Sequence, residues 1–452
     1  MNETQTITST QSVLRDIRTE ITDNDAKEDV NRYVPAEHRP RESNTSSFGA
    51  LAHLLKASLS SGVLAMPVAF KNAGLITGII GTIFVGLICV HVTHIFVKTS
   101  QALCVDIKRP CLGYSETCYS VFKNGPKSVQ KFASIARFLA DCSLAVTHLG
   151  ACCVYIVVVA ESFKQVSDEY CGPSWSVSAF CALTLIVLIP LTQITKLKYL
   201  VPFSTFANFV WLTSICISLY YCLRKSQPLS KRNLSTSFSG FVNFISTSLF
   251  AMEGIGVVMP IENEMLKPNQ FLGCPGVLTI AMSAVVALFA FVGFTGYLSF
   301  GEDVRGSLTL NLPHDEILAQ VAKILVACVM LLSYALIFYV PLEILWKRIK
   351  NKFHENNHRI CVACIRLAGT VFTVGLACAI PRLELFMELV GAVCLSILGI
   401  TFPVIIETVF LWDKDMGKWK WILWKNTFIL IFSILVLISG ISCSIQTLFQ
   451  KL

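Results

Sequence analysis

Charged residues are scarce in this chain. Aspartate, glutamate, lysine and arginine make up 15% of its 452 residues, whereas hydrophobic residues make up 54%. The mean hydropathy is +0.63. A soluble protein of this size could not bury so much apolar surface, so the composition excludes that class and predicts a polytopic membrane protein. The net charge of +8 suits loops that face an anionic leaflet better than it suits nucleic acid.

Motifs for metal, redox or covalent chemistry are also missing. The 18 cysteines form no paired C-x-x-C arrangement, and most lie in apolar segments, where cysteine acts as a small hydrophobe. There is no nucleophile–base pair, no phosphate-binding loop and no histidine-rich tract. We therefore expect neither an enzyme nor a cofactor nor a metal site. No acidic cluster suggests a site for sodium ions.

The first 47 residues differ from the rest because they are polar and contain no apolar run. Residues 1–47 are predicted to be a disordered cytosolic tail, and they lack the apolar core of a signal peptide. Beyond them lie about eleven apolar windows long enough to cross a bilayer. These windows run near 48–70, 75–97, 133–162, 176–194, 199–222, 241–262, 276–300, 317–345, 360–380, 384–412 and 424–449.

Basic residues are concentrated in alternate loops, which predicts a cytosolic N-terminus. The loops assigned to the cytosol include Lys98, Lys108, Arg109, Lys347, Arg348, Lys414 and Lys418. The loop 223–240 disagrees, because it should face outward yet holds four basic residues. Its Asn233-Leu-Ser tripeptide is an acceptor pattern for glycosylation, which supports the outward placement.

Two spans carry a cluster of small residues followed by aliphatic residues and Met-Pro. Span 1 contains "SLSSGVLAMP" at 58–67, and span 6 contains "MEGIGVVMP" at 252–260. Proline has no backbone N–H to donate in a helix, and Gly254 and Gly256 let the backbone leave helical angles at little cost. Both spans are therefore predicted to be broken. The alternative is that each is an ordinary kinked helix in which glycine allows close packing.

The two broken spans occupy matching positions, since each opens a set of five. Five is odd, so the second set begins on the opposite side of the membrane, as in the inverted repeat of many transporters. The predicted fold is all-α, with about eleven transmembrane helices in an inverted five-plus-five repeat and broken helices 1 and 6. The repeats span 48–222 and 241–412, and an eleventh helix spans 424–449.

Unwound backbone in these spans would present free polar groups to a ligand near the membrane midplane. Backbone N–H groups at the start of the second half of span 1 are suited to a carboxylate. Carbonyl groups at the end of the first half of span 6 could accept hydrogen bonds from an ammonium group. A zwitterionic amino acid satisfies both sets. The predicted binding residues are Ser60, Ser61, Gly62, Phe250, Ala251, Met252, Gly254 and Gly256.

Four stretches together resemble the proton-coupled amino acid transporter family, within the amino acid/auxin permease group. They are "HLLKASLSSGVLAMPVAFKNAG" (53–74), "FAMEGIGVVMPIENEM" (250–265), "GYLSFG" with "LTLNLP" (296–313), and "FYVPLEIL" (338–345). The resemblance implies an eleven-span carrier of small neutral amino acids and protons. Span 1 departs from the family pattern, because residues 57–62 lack two of the usual glycines, so the specificity of this chain could differ.

Two residues are candidates for proton coupling. His53 titrates near physiological pH when unperturbed, and the resemblance places the functional histidine of the family at this position. Its alternative role is a hydrogen bond at the membrane interface. Glu253 lies beside the predicted break in span 6 and could exchange protons, or could hold the broken helix in shape. For His148 and Tyr334 a packing role is favoured over a place in the cavity. Arg137 and Asp141 are predicted to neutralise each other.

The sequence thus predicts a secondary active transporter that carries small neutral amino acids, with proton symport, by alternating access. The alternative is a non-transporting amino acid sensor that uses the same pocket. Its partners would be a small neutral amino acid, protons and the lipid bilayer, with no nucleic acid. The plasma membrane is the favoured location, and the lysosome or another endomembrane is the alternative.

Overall fold

The computed structural model describes residues 33–39, 45–59, 62–172, 175–194, 201–252, 254–414 and 416–450. In these ranges eight helices are long and apolar enough to span a membrane, and a bent pair of helices forms a ninth candidate. A shorter apolar segment, Val177–Thr192, and the 24-residue helix Val201–Arg224 account for the two remaining predicted spans. The predicted all-α fold of a polytopic membrane protein is confirmed.

The helices follow the predicted windows closely, although several continue beyond them. In chain order they are α1 (Ser47–Leu59), α2 (Gly62–Ala73), α3 (Leu75–Asp106), α4 (Tyr114–Lys123), α5 (Ala133–Cys171), α6 (Val177–Leu183), α7 (Leu185–Thr192), α8 (Val201–Arg224), α9 (Phe238–Ala251), α10 (Ile255–Asn263), α11 (Val277–Phe300), α12 (Ile317–Ile349), α13 (His358–Ala379), α14 (Leu383–Leu411) and α15 (Trp421–Gln450).

Spans 1 and 6 are both broken. The axes of α1 and α2 differ by 51°, and α9 ends at Ala251, four residues before α10 begins at Ile255. Pro67 and Pro260 lie inside the second half of each span, at the sixth helical residue. The prolines therefore follow the breaks and remove one hydrogen bond from each half-helix.

The prediction that span 6 unwinds around both glycines is confirmed for Gly254, which lies in the break, and is wrong for Gly256. Gly256 lies within the first turn of α10, so its backbone is helical. Gly254 precedes the helix with φ −145° and ψ −14°, outside the left-handed region that favours glycine. The importance of both positions must therefore come from the space around them.

The broken spans lie in the centre of the molecule. In the most apolar window of the 238–263 segment 75% of the residues are buried, against 67% for 133–170 and 22% for 418–446. Helix α5 packs along α12, and α2 packs between α9 and α11. The last helix, α15, faces the lipid. Its aromatic residues Trp421, Trp424 and Phe428 are exposed, as is expected on a surface that contacts the membrane.

Arg366 of α13 is buried within the helix bundle at 6% exposure. Its Nη1 atom donates hydrogen bonds of 2.8 Å to the carbonyl oxygens of Thr192 and Ile194, at the end of α7. Carbonyl groups at the end of a helix need donors where water is absent. The buried guanidinium therefore stabilises the end of the short helix α7.

The N-terminal residues that the structure describes contact the second half of span 6. Arg39 forms a salt bridge of 3.1 Å with Glu262 near the end of α10, and both side chains are less than 10% exposed. Thr45 exchanges backbone hydrogen bonds with Glu264 and Leu266. We call Arg39 and Thr45 together the N-terminal strap. The predicted tail 1–47 otherwise lies largely outside the described residues.

Candidate functional site

A cavity of about 270 Å³ lies where the two broken spans meet. Its wall comes from both halves of span 1 and of span 6, and from α5, α8 and α12. The lining residues are Lys56, Ala57, Ser58, Gly62, His148, Ala151, Tyr155, Asn208, Phe250, Ala251, Gly254, Gly256, Val257, Ser333, Leu336, Ile337 and Val340. We call this space the central cavity.

Five of the predicted binding residues line the central cavity, namely Gly62, Phe250, Ala251, Gly254 and Gly256. Met252 is buried at 3% exposure and lines a small neighbouring cavity of about 30 Å³ instead. Ser60, Ser61 and Glu253 lie outside the described residues. The structure therefore brings together one predicted residue of span 1 and four of span 6.

The two breaks touch each other at Gly62 and Ala251. A Cβ atom added to Gly62 would lie 2.1 Å from the carbonyl oxygen of Ala251, which is far inside van der Waals contact. Only glycine permits this approach. The positive N-terminal end of α2 and the negative C-terminal end of α9 therefore adjoin at one wall of the cavity. A molecule with both a carboxylate and an ammonium group fits such a pair of helix ends.

Several lining residues were missed by the sequence interpretation. Asn208 of α8, Ser333 of α12 and Tyr155 of α5 bring polar groups into the cavity from three long helices. Ser58 is 1% exposed, and its Oγ atom has no hydrogen-bond partner among the described residues. The sequence signal that could have identified Asn208 is that it is a single polar residue in an apolar span. The sequence does not show which face of its helix turns inward.

His53 lies away from the central cavity. It is exposed on α1 and does not belong to the cavity wall, whereas Lys56 in the last turn of the same helix does. Within the described residues, the histidine that lines the cavity is His148 of α5, which is 8% exposed. Tyr334 is buried and shares a hydrogen bond of 2.7 Å with Thr373, as its favoured packing role implied.

The predicted pairing of Arg137 with Asp141 is wrong. Asp141 instead accepts a hydrogen bond of 2.6 Å from Arg348 of α12, and the Arg137 guanidinium lies over the Tyr119 ring. Residues four apart on a helix do face the same side. Here α12 and α4 pack against that side of α5 and supply the partners of Asp141 and Arg137.

A larger cavity adjoins the central one on the side of the membrane where the N-terminal strap lies. Its volume is about 770 Å³, and Gly256 and Val340 line both cavities. A third cavity of about 670 Å³ lies on the opposite side, between the ends of α2 and α5 and the start of α14. It shares no described lining residue with the central cavity. The central cavity is therefore next to the larger cavity on the N-terminal side, and the third cavity lies apart from it.

Comparison with known proteins places residues 43–446 in one family. The matching family model is described as "Transmembrane amino acid transporter protein". The proton-coupled amino acid transporter-like protein pathetic of Drosophila melanogaster is 38% identical over 92% of this chain and 88% of its own length. The probable amino acid transporter skat-1 of Caenorhabditis elegans is 22% identical over 89% and 90%.

Solved structures with little sequence similarity share the fold. The inward-facing conformation of Mhp1 matches with a TM-score of 0.56 and 11% identity, covering 92% of this chain and 90% of that one. The substrate-bound, outward-open state of a Na⁺-coupled sialic acid symporter matches with a TM-score of 0.50 and 12% identity, covering 89% and 90%. These matches support the inverted-repeat arrangement of membrane transporters.

Proposed function

Because this chain belongs to the transmembrane amino acid transporter family, we propose that it is a secondary active transporter of small neutral amino acids with proton symport. It would work by alternating access around the central cavity. The observation that carries the proposal is the contact between the two breaks at Gly62 and Ala251, since it places two helix ends of opposite polarity beside one small cavity. The proposed binding residues beyond the described part are Ser60 and Ser61.

The wall of the central cavity favours a small substrate with an uncharged side chain. Ala57, Ala151 and Gly256 leave space close to the backbone, and the described wall contains no carboxylate that would pair with a cationic side chain. Lys56 is the lysine of the wall, and it lies in the last turn of α1, where a cation offsets the negative end of the helix. The substrate carboxylate would then face the start of α2.

Proton symport is proposed on two grounds. The Drosophila relative is named as proton-coupled, and the sequence contains no acidic cluster that suggests a sodium site. From the sequence, His53 and Glu253 are the proposed coupling residues. His53 is exposed and lies outside the cavity. It would therefore bind the proton at the surface of α1. Glu253 would lie beside the break in span 6.

The test is uptake of radiolabelled amino acids by the purified protein in liposomes. We expect a small neutral amino acid to accumulate when the outside is more acidic than the inside, and to accumulate less without the pH gradient. Leucine, glutamate and lysine serve as probes of side-chain size and charge. Specific binding without any uptake would reject the carrier and favour the alternative of a non-transporting sensor.

We also propose that the N-terminus is cytosolic, in the plasma membrane or alternatively in the lysosomal membrane. The loop after α8 would then face outward despite its basic residues. Those residues have local partners: Arg232 donates to the carbonyls of Leu298 and Ser299 at the end of α11, and Arg224 pairs with Glu316. Because these positive charges are paired within the protein, they are a poor guide to the side of the membrane on which the loop lies.

Glycosylation tests this orientation. Asn233 is exposed in the loop, so we expect Asn233→Gln to remove an endoglycosidase-sensitive shift in gel mobility. The chain offers a matched control, because Asn2-Glu-Thr and Asn44-Thr-Ser are acceptor patterns on the N-terminal side. Asn2→Gln and Asn44→Gln should leave the shift unchanged. A shift that disappears with Asn2 or Asn44 would show that the orientation is the reverse.

A further inference from the structure

We propose that His148 is a further proton-binding group, located in the central cavity, and that its Nε2 atom takes up a proton that crosses with the substrate. The inference rests on the proposed function and adds a residue of the cavity wall to the two coupling residues that the sequence suggested. Four features support the inference. They are the position of His148 in the cavity wall, the hydrogen bond that fixes its tautomer, the absence of a side chain at Gly256 opposite its ring, and the proximity of the larger cavity.

The tautomer of His148 is fixed by its own helix. The Nδ1 atom lies 2.7 Å from the carbonyl oxygen of Leu144, one turn earlier in α5. A carbonyl oxygen only accepts hydrogen bonds, so Nδ1 must carry the hydrogen. In the neutral ring the lone pair is then on Nε2. The Nε2 atom has no hydrogen-bond partner among the described residues, and the residue lines the cavity.

The ring edge of His148 faces a glycine. A Cβ atom placed on Gly256 would lie 3.3 Å from Cε1 and 3.7 Å from Nε2 of His148. The missing side chain leaves the ring edge open at the start of α10, where the substrate is expected. Gly256 also lines the larger cavity on the N-terminal side. A proton on Nε2 is therefore next to both the substrate space and a route to water.

The surroundings of His148 contain few other titratable groups. Lys56 reaches the cavity from α1, and the Tyr155 phenol from two turns further along α5. Helices α8 and α12 contribute the neutral Asn208 and Ser333, and the described part of span 6 contributes only apolar residues and glycine. Glu253 lies outside the described residues. On the N-terminal side, Asp141 is two turns before His148 and is already paired with Arg348.

The proton cycle balances without any further reactant. On the opposite side of the membrane, a water-borne proton bonds to Nε2 and produces the imidazolium, whose positive charge favours entry of the substrate carboxylate. After the cavity opens to the N-terminal side, the Nε2–H bond breaks and the proton passes to water in the larger cavity. The amino acid leaves by the same route. One proton and one zwitterion have then crossed together.

His314 lies outside the spans and is less suited to this role. Its Nδ1 atom accepts a hydrogen bond of 3.4 Å from the buried Lys323. Burial and the neighbouring Lys323 and Arg305 cations lower the pKa of His314, so it stays neutral until the pH falls below the ordinary range for histidine. It also lies in the loop before α12, away from the central cavity.

The experiment separates substrate movement from proton coupling in proteoliposomes. Counterflow measures exchange of labelled for unlabelled amino acid without a pH gradient, and accumulation measures uptake driven by an acidic outside. In His148→Asn the amide nitrogen can still donate to Leu144, but no titrating Nε2 remains. We expect this variant to retain counterflow and to lose gradient-driven accumulation. His94→Asn is the control, because His94 is half-buried in α3 outside the cavity, and it should retain both.

Gradient-driven accumulation at the wild-type level in His148→Asn would overturn the inference, as would loss of both activities in a correctly folded variant, because His148 would then serve substrate binding. If the asparagine variant does not fold, His148→Gln is measured in the same way, with the same two criteria. Wild-type protein that shows no counterflow would instead overturn the proposed function itself, so the two failures are distinguishable.

Discussion

Replacing Gly62 by alanine is expected to abolish uptake. The new Cβ atom would lie 2.1 Å from the carbonyl oxygen of Ala251 and 2.7 Å from its Cα and carbonyl carbon. These are backbone atoms, so no side chain can rotate away, and α2 must move from the end of α9. Overpacking costs about 1–3 kcal/mol, and about 3 kcal/mol corresponds to roughly a 100-fold loss of rate. The measurement is initial uptake normalised to protein at the membrane.

Gly375→Ala is the matched control for this substitution. Gly375 lies in α13, and a Cβ atom there would meet no atom within 4 Å. The control should transport like the parent, because alanine in place of a helical glycine adds no contact. Normal uptake by Gly62→Ala would show that the two breaks do not need to touch, and the proposed pairing of helix ends would be wrong.

Replacing Gly256 by valine is expected to have the second large effect. The reason differs from glycine's backbone freedom, since Gly256 is helical. A Cβ atom would lie 3.3 Å from Cε1 of His148, and the two γ-methyl groups of valine would extend further into the cavity. We expect uptake to fall by roughly tenfold or more, which corresponds to about 1.4 kcal/mol or more of lost stabilisation. Surface expression should be largely retained.

Gly256→Ala calibrates this result. Its single Cβ atom requires the His148 ring to move by only a few tenths of an ångström, so alanine should reduce uptake less than valine does. The ordering of glycine, alanine and valine is the informative outcome. Equal uptake by all three proteins would show that the substrate and His148 do not use the space beside Gly256.

The spans could be predicted from the sequence because bilayer thickness sets their length. The window 276–300 became Val277–Phe300, and 384–412 became Leu383–Leu411. Helix α3 continues to Asp106, well past the predicted end at residue 97. Its last turns carry polar residues, and hydropathy does not show a helix that continues beyond the apolar core of the membrane.

The details of the central cavity could not be predicted in the same way. Proline and glycine marked both broken spans, and the predicted binding residues placed each break before its proline, but the sequence did not show that Gly256 is helical. His53 was favoured over His148 because the family resemblance places the functional histidine there, and a single sequence does not reveal which histidine its helix turns towards the cavity. Packing of α1 against α10 and α11 leaves His53 exposed, whereas α5 turns His148 inward.

The N-terminal strap reduces the number of independent motions of the transporter. It joins the chain just before α1 to the end of α10, through Thr45 and through the buried pair of Arg39 and Glu262. Leaving one member of a buried ion pair without its partner costs about 3–5 kcal/mol. A conformation in which only one of these half-helices swings away would therefore be populated at roughly one part in 100 or less. We therefore expect the start of span 1 and the end of α10 to move together during transport.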